Sequence, residues 1–223
     1  MAFAEGASET VPGRLAQSLG LMGGTFDPIH LAHLVTAESV FEQFGLDKVI
    51  FIPTGIPPHK RHYPVTPAHH RYEMVRRAAD GNPRFEVSRV EVDREGLSFT
   101  VDTLVDMTSK LPPGTNLYFI TGTDAILGIE TWREPERLMA MCPIIAVQRP
   151  GLHPDLAREG LERLEARYNC RILRADVPAV DISSSDIRRR VGEMRTIRYL
   201  VPDAVEAYIR HHGIYRLSSR SSP

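Results

Sequence analysis

The chain has 223 residues, of which 42% are hydrophobic and 25% charged, and its formal net charge is −1. That is the make-up of a soluble globular protein, long enough to bury a core in one generous domain. Near-neutral charge excludes a bulk attraction to nucleic acid or to an anionic membrane, and no apolar run approaches the ~18 residues of a membrane span.

Residues 1–17 have no basic start and no continuous apolar segment, so they read as a flexible extension rather than a secretory signal. The expected domain covers 18–216, and 217–223 (LSSRSSP) reads as a second flexible tail. Between the tails, short apolar runs alternate with helical patterns, which predicts a single α/β domain with a doubly wound, mostly parallel sheet. Strands are expected over 19–22, 48–52, 84–88, 116–121, 144–148 and 171–174; VIFIP, apolar and closed by a proline, has the character of a buried central strand. Leu34, Ala37, Phe41 and Phe44 stripe one face of a helix after the first strand. Thr66 and Pro67 supply an N-cap and a first-turn proline for AHHRYEMVRRAAD, with Gly81 as its stop. Val201-Pro202 opens DAVEAYIRHH, which puts Val205, Tyr208, Ile209 and His212 on one face and ends at Gly213. Cys142 and Cys170 give no disulfide framework and no paired metal spacing, and read as reduced thiols in the cytoplasm.

In a doubly wound sheet, ligands bind beyond the carboxyl ends of the strands, so chemistry is sought in the loops that follow them. The first is GGTFDPIHLAH. Gly23 and Gly24 would let the backbone turn sharply, and their amides with that of Thr25 could face an anion. His30 and His33, three apart near a helix start, offer hydrogen-bond donors to phosphate oxygens. On its own, the pair is more simply read as histidines that cap and pack. PTGIPPHKRHYP is a proline-stiffened loop carrying His59, Lys60, Arg61 and His62, either a basic arm for a triphosphate or merely a solvated loop. In DISSSDIRRR, hydroxyls at a helix start combine with Arg188 one turn on, projecting like Ser184 and Ser185. A cap accounts for one serine but not for three followed by three arginines. Asp124, just after a strand in TGTDAILGIETW, suits ribose hydroxyls, whereas Trp132, the only tryptophan, is either a stacking platform or core. There is no GxxxxGK[ST], no GxGxxG after the first strand and no HExxH.

Taken in order, GGTFDPIHLAH, PTGIPPHK, HRYEM, DREGLSFTVDTL, GTDAILGIETW, VQRPG and ISSSDIRRR resemble the bacterial nicotinate-nucleotide adenylyltransferases, within the wider HxGH nucleotidyltransferase superfamily. The resemblance runs from about Gly20 to Tyr215. It implies transfer of AMP from ATP to nicotinate mononucleotide, giving deamido-NAD and pyrophosphate in NAD biosynthesis, with Mg²⁺ delivered by ATP and no metal ligands on the chain. It implies that His30 and His33 hold phosphates and stabilise charge on the α-phosphoryl group. Lys60 and Arg188, with Ser184 and Ser185, would bind the β- and γ-phosphates, and Gly23, Gly24, Thr25 and Asp124 would complete the ATP side. Thr100 and Trp132 would take the mononucleotide. Ala32 departs from the superfamily pattern, which has glycine before the second histidine. The alternatives are nicotinamide mononucleotide or phosphopantetheine as acceptor, a catalytically silent nucleotide-binding module, or a metal hydrolase suggested by nine histidines. No nucleic-acid or membrane partner is expected, and homo-oligomerisation is left open.

Overall fold

The computed structural model describes residues 17–58, 65–148 and 153–216. Its sheet holds β1 (Ser18–Gly24), β2 (Lys48–Pro53), β3 (Phe85–Val87), β4 (Asn116–Gly122), β5 (Ile144–Val147) and β6 (Ile172–Ala175), all parallel, in the order β3-β2-β1-β4-β5-β6. The predicted strands are therefore present, each within two residues of its expected ends. β3 is the shortest, as an edge strand paired only with β2.

The helices are α1 (Leu31–Phe44), α2 (Ala68–Ala79), α3 (Thr100–Lys110), α4 (Thr123–Leu127), α5 (Pro135–Met141), α6 (Pro154–Tyr168), α7 (Ser184–Gly192) and α8 (Asp203–His211). Side chains alternate across the strands, so each face of the sheet carries its own core. Met22, Phe51, Ile120 and Ile145 pack with Val40 of α1, Met74 of α2 and Val205 of α8 on one face. Leu21, Ile52, Phe119 and Ala146 pack with Leu104 of α3 and Leu161 of α6 on the other. Gly81 and Gly213 lie just past their helices at φ +83 and +62, as stop residues should. No described helix is long and apolar enough to cross a membrane.

One capping expectation is corrected. Pro67, not Thr66, is the N-cap of α2, and no side chain caps that end. The Thr66 amide instead donates to Asp27 Oδ2 at 3.3 Å and its carbonyl accepts from Arg71 Nε at 2.7 Å. A tertiary hydrogen-bond pair has displaced the local cap.

Candidate active site

The strand order reverses between β1 and β4, where connections leave in opposite directions and a crevice opens at the carboxyl ends. Two cavities lie there, of about 310 and 480 Å³, and share Gly23, Gly24, Thr25, Thr121 and Ala125 as a common wall. A third, of about 250 Å³, adjoins the larger of them between the start of α1 and residues 177–184.

The wall is built by the β1–α1 turn. Both glycines still belong to β1 and pair in register with Ile52 and Pro53, and neither has a positive φ. The reversal falls on Phe26, at φ 48. The expectation that the glycines make the sharp turn is thus corrected: strand pairing runs through Gly24 and postpones the turn. Gly24 is needed for another reason, since a Cβ there would lie 2.8 Å from the Phe26 ring.

His30 is the N-cap of α1 and His33 its third residue. The His30 amide donates to His33 Nδ1 at 3.2 Å, and the two rings stack at 3.7 Å. Phe26 meets the His33 ring edge-on at 5.0 Å. The histidines therefore do cap and pack, and this fixes the direction of the His33 ring. An imidazole whose Nδ1 accepts carries its proton on Nε2, so the remaining ring nitrogen is a donor. His33 lines the second and third cavities; His30, buried, lines only the third.

α7 brings its N-terminus to the 480 Å³ cavity, which Ser184, Ser185 and Arg188 line together with Gly23 and Gly24. The three serines divide their work. Ser183 is the cap, accepting from the Asp186 amide; Ser184 donates its hydroxyl to the Pro28 carbonyl at 2.9 Å, tying α7 to the turn; Ser185 Oγ accepts from Arg188 Nη2 at 3.2 Å. Arg188 Nη1 donates to the Asp27 carbonyl at 2.8 Å, so its guanidinium plane is held from two sides. Asp124, exposed in the first turn of α4, faces the same cavity.

The 310 Å³ cavity takes Thr100 at the start of α3, and Trp132. Trp132 meets Phe119 edge-on at 6.3 Å and also lines the open space. Arg133 adds a cation over the Phe99 ring. Glu91, unassigned in the sequence reading, is buried in this lining. Arg94 donates to Thr103 Oγ1, which donates to Glu91 at 2.7 Å, while burial pushes the Glu91 carboxyl above its ordinary range. Gly55 is obligatory beside it, because a Cβ would fall 2.2 Å from the Glu91 carbonyl oxygen.

Every predicted site residue that is described lies on these cavities, whereas Lys60 lies outside the described residues. The sequence reading missed Asp27 and Arg71, both buried. Arg71 donates to the carbonyls of Thr25, Gly55 and Thr66 at 2.7–2.8 Å. It thereby joins the glycine turn to both feet of the β2–α2 connection. Among the described residues, no group of three or more His, Cys, Asp or Glu is placed to hold a metal ion. His70 and His212 instead gather around Tyr208 between α2 and α8, the His70 ring bonding the Tyr208 hydroxyl at 2.9 Å.

Residues 21–190 match the cytidylyltransferase-like family, a span that includes the crevice and α7 through Arg190. A "probable nicotinate-nucleotide adenylyltransferase" of Moorella thermoacetica is 52% identical over 207 residues, covering 93% of this chain and 94% of that protein. The chain belongs to the nicotinate-nucleotide adenylyltransferase family. A family member so described from Desulfitobacterium hafniense is 51% identical, covering 89% of this chain and 96% of that protein. The fold is shared with the Plasmodium falciparum nicotinic acid mononucleotide adenylyltransferase complexed with NaAD, at TM-score 0.73 and 20% identity, covering 89% of this chain and 97% of that one. The six-stranded parallel sheet, with its crevice at the β1–β4 switch point, is thus carried by a fold shared with a solved adenylyltransferase structure.

Proposed function

We propose that the chain transfers AMP from ATP to nicotinate mononucleotide, forming deamido-NAD and pyrophosphate. The observation that carries this reading is the pair of cavities sharing the Gly23–Thr25 wall. A reaction joining two nucleotides needs two sites that meet at the reacting phosphates. The polar cavity, with His33, Asp124, Ser184, Ser185 and Arg188, takes ATP; the one with Thr100 and Trp132 takes the mononucleotide.

The mononucleotide phosphate is already an anion, so it attacks the α-phosphorus without a general base, and the protein's task is positioning and charge stabilisation. Positioning of this kind is worth ~7–11 kcal/mol where the geometry is tight. His33, its ring wedged between His30 and Phe26, donates from Nε2 to the α-phosphoryl oxygens as their charge grows. Arg188 and the first turn of α7 receive the β- and γ-phosphates, with Lys60 in the same role, and stabilise departing pyrophosphate. Mg²⁺ enters as part of the nucleotide substrate and offsets the charge of the polyphosphate. Trp132 stacks on the pyridine ring. The setting of this reading is the cytoplasm.

The deciding experiment incubates the protein and Mg²⁺-ATP with nicotinate mononucleotide, nicotinamide mononucleotide or phosphopantetheine and follows pyrophosphate. Release is expected fastest with the nicotinate compound. Faster release with either rival would reassign the acceptor, and binding of ATP without release from any would leave a silent module.

Two substitutions probe the two sides separately. Trp132→Ala is expected to raise KM for the mononucleotide by about tenfold, the scale of one lost stacking contact, and to leave KM for ATP nearly unchanged. Equal rises in steady-state assays would show that the ring serves only the core. Ala32 lines the third cavity, beside His30 and residues 177–184. Alanine is the smallest step from glycine and suits a helix, so Ala32→Gly is expected to keep turnover within a few-fold, about 1 kcal/mol. A hundredfold gain would reveal that the methyl crowds the nucleotide.

A further inference from the structure

Asp27 gathers groups from three distant parts of the chain. It is 5% exposed and lines the larger crevice cavity. Its Oδ1 accepts from the Tyr215 hydroxyl at 2.6 Å, its Oδ2 from the Thr66 amide at 3.3 Å, and its main-chain carbonyl from Arg188 Nη1 at 2.8 Å. Arg71 holds the carbonyl of Thr25, two residues before Asp27, at 2.8 Å. Tyr215 comes from the last described turn, three residues past α8 and its His212 cap, and sits at φ 66. Burial and the Asp27 charge both push its phenol well above the ordinary range, so it is the donor in the pair.

We propose that Tyr215 is a positioning residue for the nucleotide triphosphate: through Asp27 it fixes the seat on which the Arg188 guanidinium rests. The inference rests on the reading of this cavity as the ATP side. Its logic is geometric. A carboxylate held by a half-buried phenol and an amide is restrained from rotating, which in turn restrains the carbonyl of the same residue under Arg188. A charge-assisted hydrogen bond away from water is among the stronger single contacts available for this. The turn after α8 therefore reaches the reaction through Asp27, without lining the crevice cavities itself.

Tyr215→Phe keeps the ring, which packs against the core, and removes only the hydroxyl. The expected result is an ATP Kd weakened about tenfold, the size of one charge-assisted bond, with the mononucleotide Kd within about twofold. Isothermal calorimetry reads both constants whether or not the protein turns over. A wild type that binds ATP without releasing pyrophosphate would remove the transfer reading and leave this test intact. In an Arg188→Ala background, the Tyr215→Phe effect on ATP binding should shrink below about twofold, because the seat no longer holds anything. A second tenfold loss there, or equal weakening of both ligands, would mark the contact as general scaffolding and overturn the proposal. Asp27→Asn, isosteric but uncharged, should reproduce the ATP-side signature. Loss of the cooperative thermal transition in both single variants would likewise assign the contact to stability alone.

Discussion

His33→Ala is expected to lower kcat by at least a hundredfold, about 2.7 kcal/mol, while leaving KM for both substrates within a few-fold. The ring has two nitrogens and the fold has already spent one: Nδ1 accepts from the His30 amide. The other is a donor fixed in direction by the stacked His30 ring and the edge-on Phe26 ring. A donor held this way needs no reorganisation as charge builds on the α-phosphoryl oxygens, which is when such a group is worth most. Because the interaction strengthens in the transition state, kcat and kcat/KM should fall together. Removing the ring also removes an acceptor at the start of α1, at a cost of about 1 kcal/mol in stability, so the variant should remain folded by circular dichroism. Steady-state pyrophosphate release checks the rate. A loss smaller than tenfold (~1.4 kcal/mol) would mean that His33 caps α1 and does little else.

The sheet was legible because its strands are short apolar runs with clear ends: VIFIP reads as a buried strand and is β2. Parallel pairing was legible too, since helical patterns separate the runs. The position of the turn was not. Two glycines advertise a reversal, but β2 continues alongside them as far as Pro53, so pairing holds Gly23 and Gly24 in the strand and Phe26 takes the left-handed conformation. DISSSDIRRR was legible as a helix start rich in hydroxyls, yet sequence could not say that Ser183 caps, Ser184 binds Pro28 and Ser185 supports Arg188. The part played by Ser184 depends on a turn 156 residues away in sequence. Asp27 and Glu91 were hidden for the same reason: a carboxylate before a proline, or within a charged stretch, reads as solvated until its partners arrive from Tyr215 or Thr103.

Arg71→Met should destabilise the protein by about 3 kcal/mol or more and lower its melting temperature by roughly 6–12 °C. Met74, Arg76 and Arg71 share α2, and nothing in AHHRYEMVRRAA marks Arg71 as different from the arginines that follow it. Yet Arg71 is 1% exposed, and burial pulls its guanidinium below the ordinary range against the opposing pull of Asp27, Tyr215 and Glu91. The fork geometry of the guanidinium lets one side chain serve three carbonyls, from Thr25, Gly55 and Thr66. Methionine fills much of the volume but takes the guanidinium away from those acceptors, and each such loss costs about 1–3 kcal/mol. Lysine, a compact charge with no fork, should recover only part of this. Arg76→Ala is the control, because Arg76 lies on the surface in an ion pair with Glu73, and its loss should stay within ~0.5 kcal/mol. Catalysis offers a second readout. Thr25 lines both crevice cavities, so loosening its carbonyl should raise KM for ATP and for the mononucleotide together, unlike Trp132→Ala or Tyr215→Phe, which each act on one side. Calorimetric melting of Arg71→Met within 2 °C of wild type, an effect below ~1 kcal/mol, would show that water reaches the three carbonyls and that the loops hold without the clamp.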